Sequence, residues 1–164
     1  MLHITYGQTG KFYVTTEEKR INTSVVSSKI RLLFKFTNDM DKRVVYAYGQ
    51  STIHYDAIRA YQRYTRLTIG HNTSENVFTG LVNFKPFGYW KYEIYEVSWI
   101  GAINLTADYA PTTETQVLSV EDENGVVKGL VETGKLYVTE TAGSEQISYT
   151  EHPEPSGTNY IFTN

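Results

Sequence analysis

Phe84-Lys85-Pro86-Phe87-Gly88-Tyr89-Trp90-Lys91-Tyr92-Glu93-Ile94-Tyr95-Glu96-Val97 sets a Pro/Gly turn ahead of a run of aromatic and β-branched residues. Such residues favour a pleated strand, because their bulky side chains pack across neighbouring strands. Alternation then divides the run between two faces: Trp90, Tyr92 and Ile94 on one, Tyr89 and Tyr95 on the other. Lys91 and Glu93 share the face of Tyr95, and Glu96 points the opposite way. The segment holds no evident nucleophile, metal cage or phosphate cradle.

The surrounding sequence has the same texture. In Lys29–Thr37, Ile30, Leu32, Phe34 and Phe36 alternate with Lys29, Arg31, Lys35 and Thr37, the period of a half-buried strand. Leu33 interrupts the polar face and marks a second point of contact. The polar turn 38–42 and the strand 43–48 complete a β-hairpin. Upstream, short strands 2–6 and 12–16 flank Gly7-Gln8-Thr9-Gly10, and 17–28 is a polar loop or edge segment. Downstream, 51–60 is a candidate helical turn, and 61–69 returns to strand character. The stretch 77–84 is a strand with Gly80 at a bulge, paired with 89–98. The Thr- and Asn-rich stretch 101–115 suits a surface loop. Gln116–Val120 is a short strand, and Asn124-Gly125 is a hairpin signal before strands 126–131 and 135–139.

Eight to ten short strands with regular turn signals and almost no helix define an all-β fold. The expected architecture is an antiparallel β-sandwich of immunoglobulin-like type, or a small barrel. It covers residues 1–140. Residues 141–164 carry Gly143, Pro153, Pro155 and Gly157 and few aliphatics, yet end in Tyr160-Ile161-Phe162. That is the pattern of an extended C-terminal arm, a linker ending in an apolar strand-former, or of an unstructured terminus.

Composition narrows the function classes. Fifteen basic against 18 acidic residues give a net charge of −3, which offers nucleic acid no basic surface. There are no cysteines, so disulfides and thiolate chemistry are ruled out. No apolar run approaches the roughly 18 residues of a membrane span, so a soluble chain is expected. The N-terminus has neither the charged start nor the apolar centre of a secretion signal. Without one, the three Asn-x-Ser/Thr matches at Asn22, Asn72 and Asn104 are treated as chance.

Catalytic groupings are weak. His3, His54, His71 and His152 have no metal-ligand spacing and are taken as loop histidines. A glycosidase needs two carboxylates facing one cleft, which the sequence does not show for Glu75, Glu93 and Glu96, and ordinary cross-strand pairing is the expected reading of the strand glutamates. Asp39, Asp41, Glu121, Asp122 and Glu123 do not follow the calcium-loop pattern and suit solvated turns. No cofactor, metal or enzymatic activity is expected.

The 14 tyrosines stand out. Tyr89, Trp90, Tyr92, Tyr95 and Trp99 exceed what one sheet face can hide. Three readings stand side by side: packing within the sandwich, an interface with another protein, or stacking on sugar rings.

The order Gly7-Gln8-Thr9 with Phe12-Tyr13-Val14-Thr15-Thr16-Glu17, then Leu33-Phe34-Lys35-Phe36-Thr37-Asn38-Asp39, Gly88–Glu96 and Gly129–Val138, resembles small virion proteins of tailed bacteriophages. It is most similar to those of marine and gut phages of Bacteroidota, including crAss-like phages. A looser similarity is to immunoglobulin-like domains of baseplate and fibre-attachment proteins. The resemblance covers most of residues 1–140. It implies a virion location, a β-sandwich present in many copies per particle, capsid or tail proteins as partners, and no enzymatic role. The leading expectation is a capsid auxiliary or decoration protein that cements neighbouring subunits. The alternatives are a tail, neck or fibre-attachment adaptor and, from another class, a carbohydrate-binding module. Trp90, Tyr92, Tyr95 and Trp99 are the expected interface patch, and Tyr160, Ile161 and Phe162 the docking arm.

Overall fold

Leu32, Phe34 and Phe36 project inward from a nine-residue strand, as their period-2 spacing requires. That strand is β3 (Ile30–Asn38). The computed structural model describes residues 1–50 and 65–141, and in these it adds β1 (Leu2–Thr5), β2 (Gly10–Val14), β4 (Val44–Tyr48), β5 (Thr65–His71), β6 (Leu81–Val82), β7 (Gly88–Ser98) and β8 (Val126–Thr139). Helical backbone among the described residues is confined to two 3-10 turns, Glu17–Lys19 and Ser27–Lys29.

The strands form a five-stranded sheet, β1-β8-β7-β3-β4, and a three-stranded sheet, β2-β5-β6. The all-β sandwich is therefore what the chain forms. In immunoglobulin lettering, the order β8-β7-β3-β4 is G-F-C-C′, the layout of the variable type. The sheets are mixed, however, because β1 runs parallel to β8 and β6 parallel to β5. The turn at 7–10 thus does not close a hairpin. It carries the chain from one sheet to the other.

The main core lies between the sheets. Phe12 and Val14 of β2, Leu67 and Ile69 of β5 and Val82 of β6 meet Phe34 and Phe36 of β3 and Trp90, Tyr92 and Ile94 of β7. Phe36, Phe84 and Trp90 pack edge to face, with centroids 5.0 and 5.6 Å apart. Burying each such ring contributes about 1.5–3 kcal/mol.

A second core occupies the opposite face of the five-stranded sheet. Leu33, Tyr48, Val97 and Trp99 are fully buried there, together with Ala110 from the segment 99–125. This segment is not merely a surface loop. The Tyr48 hydroxyl donates to the Pro111 carbonyl at 2.6 Å, and Lys29 Nζ donates to the carbonyls of Ile100 and Gly101. Leu33, which breaks the polar alternation of β3, is the residue that seeds this cover.

Four local expectations are corrected. The stretch 77–84 does not pair with 89–98. Only Leu81–Val82 is strand, bound to β5, and the chain crosses between sheets before β7. Gly80 sits in a turn at φ 69°, where a β-carbon would stand 2.6 Å from the Tyr48 carbonyl oxygen. Gln116–Val120 is not a strand, and Val117 and Val120 are 90% and 88% exposed. Asn124-Gly125 is not a hairpin turn. Asn124 Nδ2 instead donates to the Ser119 carbonyl at 2.7 Å, and Gly125 N–H donates to the Tyr109 carbonyl at 2.8 Å. Finally, 126–131 and 135–139 are one strand whose two register shifts against β7 absorb the extra residues. The candidate helical turn at 51–60 and the arm at 142–164 lie outside the described residues.

Candidate binding face

The outer face of the five-stranded sheet is built in rows that cross the strands. Beginning at the edge strand β4, the row Tyr48–Leu33–Tyr95–Leu130 starts beneath the segment 99–125 and emerges toward β8. The next row is polar and runs Tyr46–Lys35–Glu93–Thr133. Glu114, from the covering segment, bridges it: Lys35 Nζ approaches one carboxylate oxygen at 2.5 Å and the Tyr46 hydroxyl donates to the other at 2.6 Å. Burial alone would raise the Glu114 carboxyl, but these two bonds outweigh it and hold the group below the ordinary carboxylate range. The bond to Glu114 raises the Lys35 ammonium against the opposing effect of burial. Burial, then the same bond, raises Tyr46, and burial with nearby Glu93 raises Tyr95. The cluster is a closed set of partners that pins the segment to the sheet.

At the other end of the same face, the sheet is uncovered. His3 of β1, Tyr137 of β8 and Tyr89 of β7 stand side by side because Cα register pairs His3 with Tyr137 and Tyr137 with Tyr89. The Tyr89 and Tyr137 rings are 4.8 Å apart, and His3 stacks on Tyr137 at 6.0 Å. Tyr89 is 52% exposed, His3 is exposed and Tyr137 is half-buried. Lys91, Lys135, Thr5 and Thr139 border the ladder. Lys135 pairs with Asp39 at 2.6 Å and Lys91 with Glu93 at 2.9 Å. This row places three aromatic rings from three neighbouring strands side by side on the uncovered part of the face.

The expected patch of Trp90, Tyr92, Tyr95 and Trp99 does not exist as a surface. Trp90 and Tyr92 are buried between the sheets, while Trp99 is buried on the opposite face beneath 99–125. Tyr95 is half-buried beside that second core. Both faces of β7 are covered over much of its length, so Trp90, Tyr92 and Tyr95 serve packing. Tyr160, Ile161 and Phe162 lie outside the described residues.

Most of the remaining candidates among the described residues have structural partners, and His54 and His152 lie outside those residues. Glu96, 1% exposed, accepts the backbone N–H groups of Ile21 and Asn22 at 2.9 and 2.8 Å and so holds the 20–28 segment against the sheet. Glu93 and Glu96 face opposite sides of β7, as alternation requires. Glu75 pairs with Arg43 at 2.7 Å. Asp41 accepts Arg43 N–H within its turn, and Glu121 accepts the Ser119 hydroxyl. His71 is not in a loop. It ends β5, its ring 4.4 Å from that of Tyr6. Among the described residues, no three side chains of metal-ligating type come together.

Alternation set Tyr89 opposite Trp90 and Tyr92 without deciding which side meets water, and His3 and Tyr137 were missed. Each lies between apolar neighbours in its own strand, Leu2 and Ile4 or Leu136 and Val138, which was signal enough for their direction. That they join Tyr89 in one row depends on register between strands some 130 residues apart in the chain.

No protein family and no curated protein matches the sequence. Among solved structures, the chain is similar to a protein of Bacteroides vulgatus ATCC 8482 described as a "putative glycoside hydrolase", with 13% identity and a TM-score of 0.38. The similarity covers 87% of this chain and 17% of that one.

Proposed function

We propose that this chain is a non-enzymatic virion structural protein of the decoration type, a β-sandwich carried on the phage capsid that presents a recognition face. The observation that carries a recognition role is the His3–Tyr137–Tyr89 ladder. Among the described residues, every other Phe, Tyr and Trp ring except Tyr13 and Tyr109 lies in or packs against one of two cores, and leaving this row in water forgoes the stabilisation of burial. An uncovered aromatic row is understandable where a partner covers it.

The non-enzymatic reading is supported by the fate of the carboxylates. Glu93, Glu96, Glu114 and Glu132 each have structural partners. Placement on a particle rests on the sequence resemblance to small virion proteins. In this reading Tyr160, Ile161 and Phe162 attach the chain to capsid subunits by strand addition.

The test is mass spectrometry of purified particles. The chain is expected in many copies, and replacement of Tyr160, Ile161 and Phe162 by Ser is expected to reduce incorporation. Absence of the wild-type chain from particles overturns the decoration reading.

A further inference from the structure

We infer that the ladder of His3, Tyr137 and Tyr89 is a stacking platform for an uncharged saccharide. This rests on the reading of that face as a recognition surface and names its ligand class. Three rings from adjacent strands stand 4.8 and 6.0 Å apart and are turned 51° and 29° from one another, a twisted row carried on strands spaced about 4.8 Å. That step is comparable to the repeat of an extended hexose chain, so successive sugar rings can lie over successive side chains. Stacking suits a pyranose because its C–H groups form apolar patches that meet the electron-rich ring face.

The surroundings select against other occupants. The platform is one ring wide and bordered by Lys91, Lys135 and Asp39, whereas the centres of protein interfaces are depleted of Lys and Asp. The same charges supply donors and acceptors for sugar hydroxyls, joined on the far side by the hydroxyls of Thr5 and Thr139, 3.3 Å apart. Charge complementarity then fixes the class. Lys135 is neutralised by Asp39 and Lys91 by Glu93. A surface of paired charges offers hydrogen bonds with no net field, which fits a neutral polyol better than a phosphate, sulfate or uronate.

The experiment presents the purified full chain to an array of neutral hexose oligomers, with uronate- and sulfate-bearing oligomers as a separate arm. Hits are titrated by calorimetry. Saturable binding of a neutral oligomer is expected, weakened about tenfold or more by Tyr89→Ala or Tyr137→Ala and preserved in Tyr89→Phe, which keeps the ring. Thermal unfolding of each variant separates loss of the platform from loss of the fold. Binding confined to charged oligomers overturns the inference, as does binding that Tyr89→Ala and Tyr137→Ala leave unchanged, or no binding at millimolar ligand. Particle incorporation distinguishes this failure from that of the underlying reading. A chain present on particles but blind to neutral sugars is a decoration protein with another ligand; a chain that binds them but is absent from particles is a sugar-binding module of another kind.

Discussion

Gly125 lies against the indole of Trp99 so closely that a β-carbon on it would stand 2.5 Å from Trp99 Cζ2. The contact ties the end of the 99–125 segment to the strand end from which it departs. Only a residue without a side chain lets the backbone settle on the ring. The Asn124-Gly125 dipeptide is thus present for packing, whereas its sequence alone suggested a turn. Gly125→Ala is expected to destabilise the fold by about 1–3 kcal/mol through overpacking. Urea denaturation monitored by Trp fluorescence checks this, and an unchanged midpoint would show that the segment is not held as described.

Glu114 is the polar counterpart of that anchor. Its bonds to Lys35 and Tyr46 are largely shielded from solvent, with side-chain exposure of 17% for Glu114 and 21% for Lys35. Glu114→Gln is expected to cost about 1.5–3 kcal/mol near neutral pH, the range for hydrogen bonds to charged groups. The acid dependence has a definite sign. A carboxyl held below its unfolded value stabilises the fold above a pH of about 4.3 and loses that contribution as pH falls through the lower folded value. The wild-type curve should therefore drop below about pH 4.3 more steeply than that of the Glu114→Gln variant, measured as thermal midpoint against pH.

Alkaline pH probes the buried phenols. Burial, reinforced by Glu132, pushes Tyr92 up to about 12. A raised phenol leaves stability intact below its ordinary value of about 10 and removes it as pH rises toward the folded value. Tyr46, Tyr48, Tyr95 and the Lys35 ammonium are raised as well and act in the same direction. Unfolding should set in above about pH 10, and Tyr92→Phe should flatten part of that fall. At pH 7 the same substitution, which loses the 3.2 Å bond to the Glu132 carboxylate, should cost about 1.5–3 kcal/mol.

Core and platform aromatics should behave oppositely. Trp90→Ala and Trp99→Ala empty sites that are completely buried and should each cost about 3–5 kcal/mol. Tyr89→Ala, at a half-exposed position, should stay within roughly 1 kcal/mol of wild type. Guanidinium titration of the three variants checks the contrast. A Tyr89→Ala loss as large as that of Trp90→Ala would remove the distinction between core and platform.

The strands of strong alternation were legible because side-chain period translates directly into face. The hairpin of β3 and β4 and the directions of Trp90, Tyr92, Ile94 and Glu96 all follow from it. Less legible were weak or composite segments. Gln116–Val120 has strand-like residues but no face to bury, so it stays irregular with Val117 and Val120 in water. Val77–Phe84 was expected beside its neighbour in sequence, yet β6 joins β5. Phe84 instead packs edge to face against Trp90 and Phe36, in the core between the sheets.

By itself the sequence determined the all-β class, which residues of each regular strand share a side, and the lack of cysteine chemistry. These are properties of composition and of a two-residue period. The tertiary structure decided which aromatics meet water. Whether the outward side of β7 is core or surface depends on where the irregular segment that follows it folds back: 99–125 covers Val97 and Leu33, and leaves Tyr89 beside Tyr137 and His3 uncovered. Register between β1, β8 and β7 is a long-range choice, set by the packing of the whole sandwich, and no local pattern encodes it.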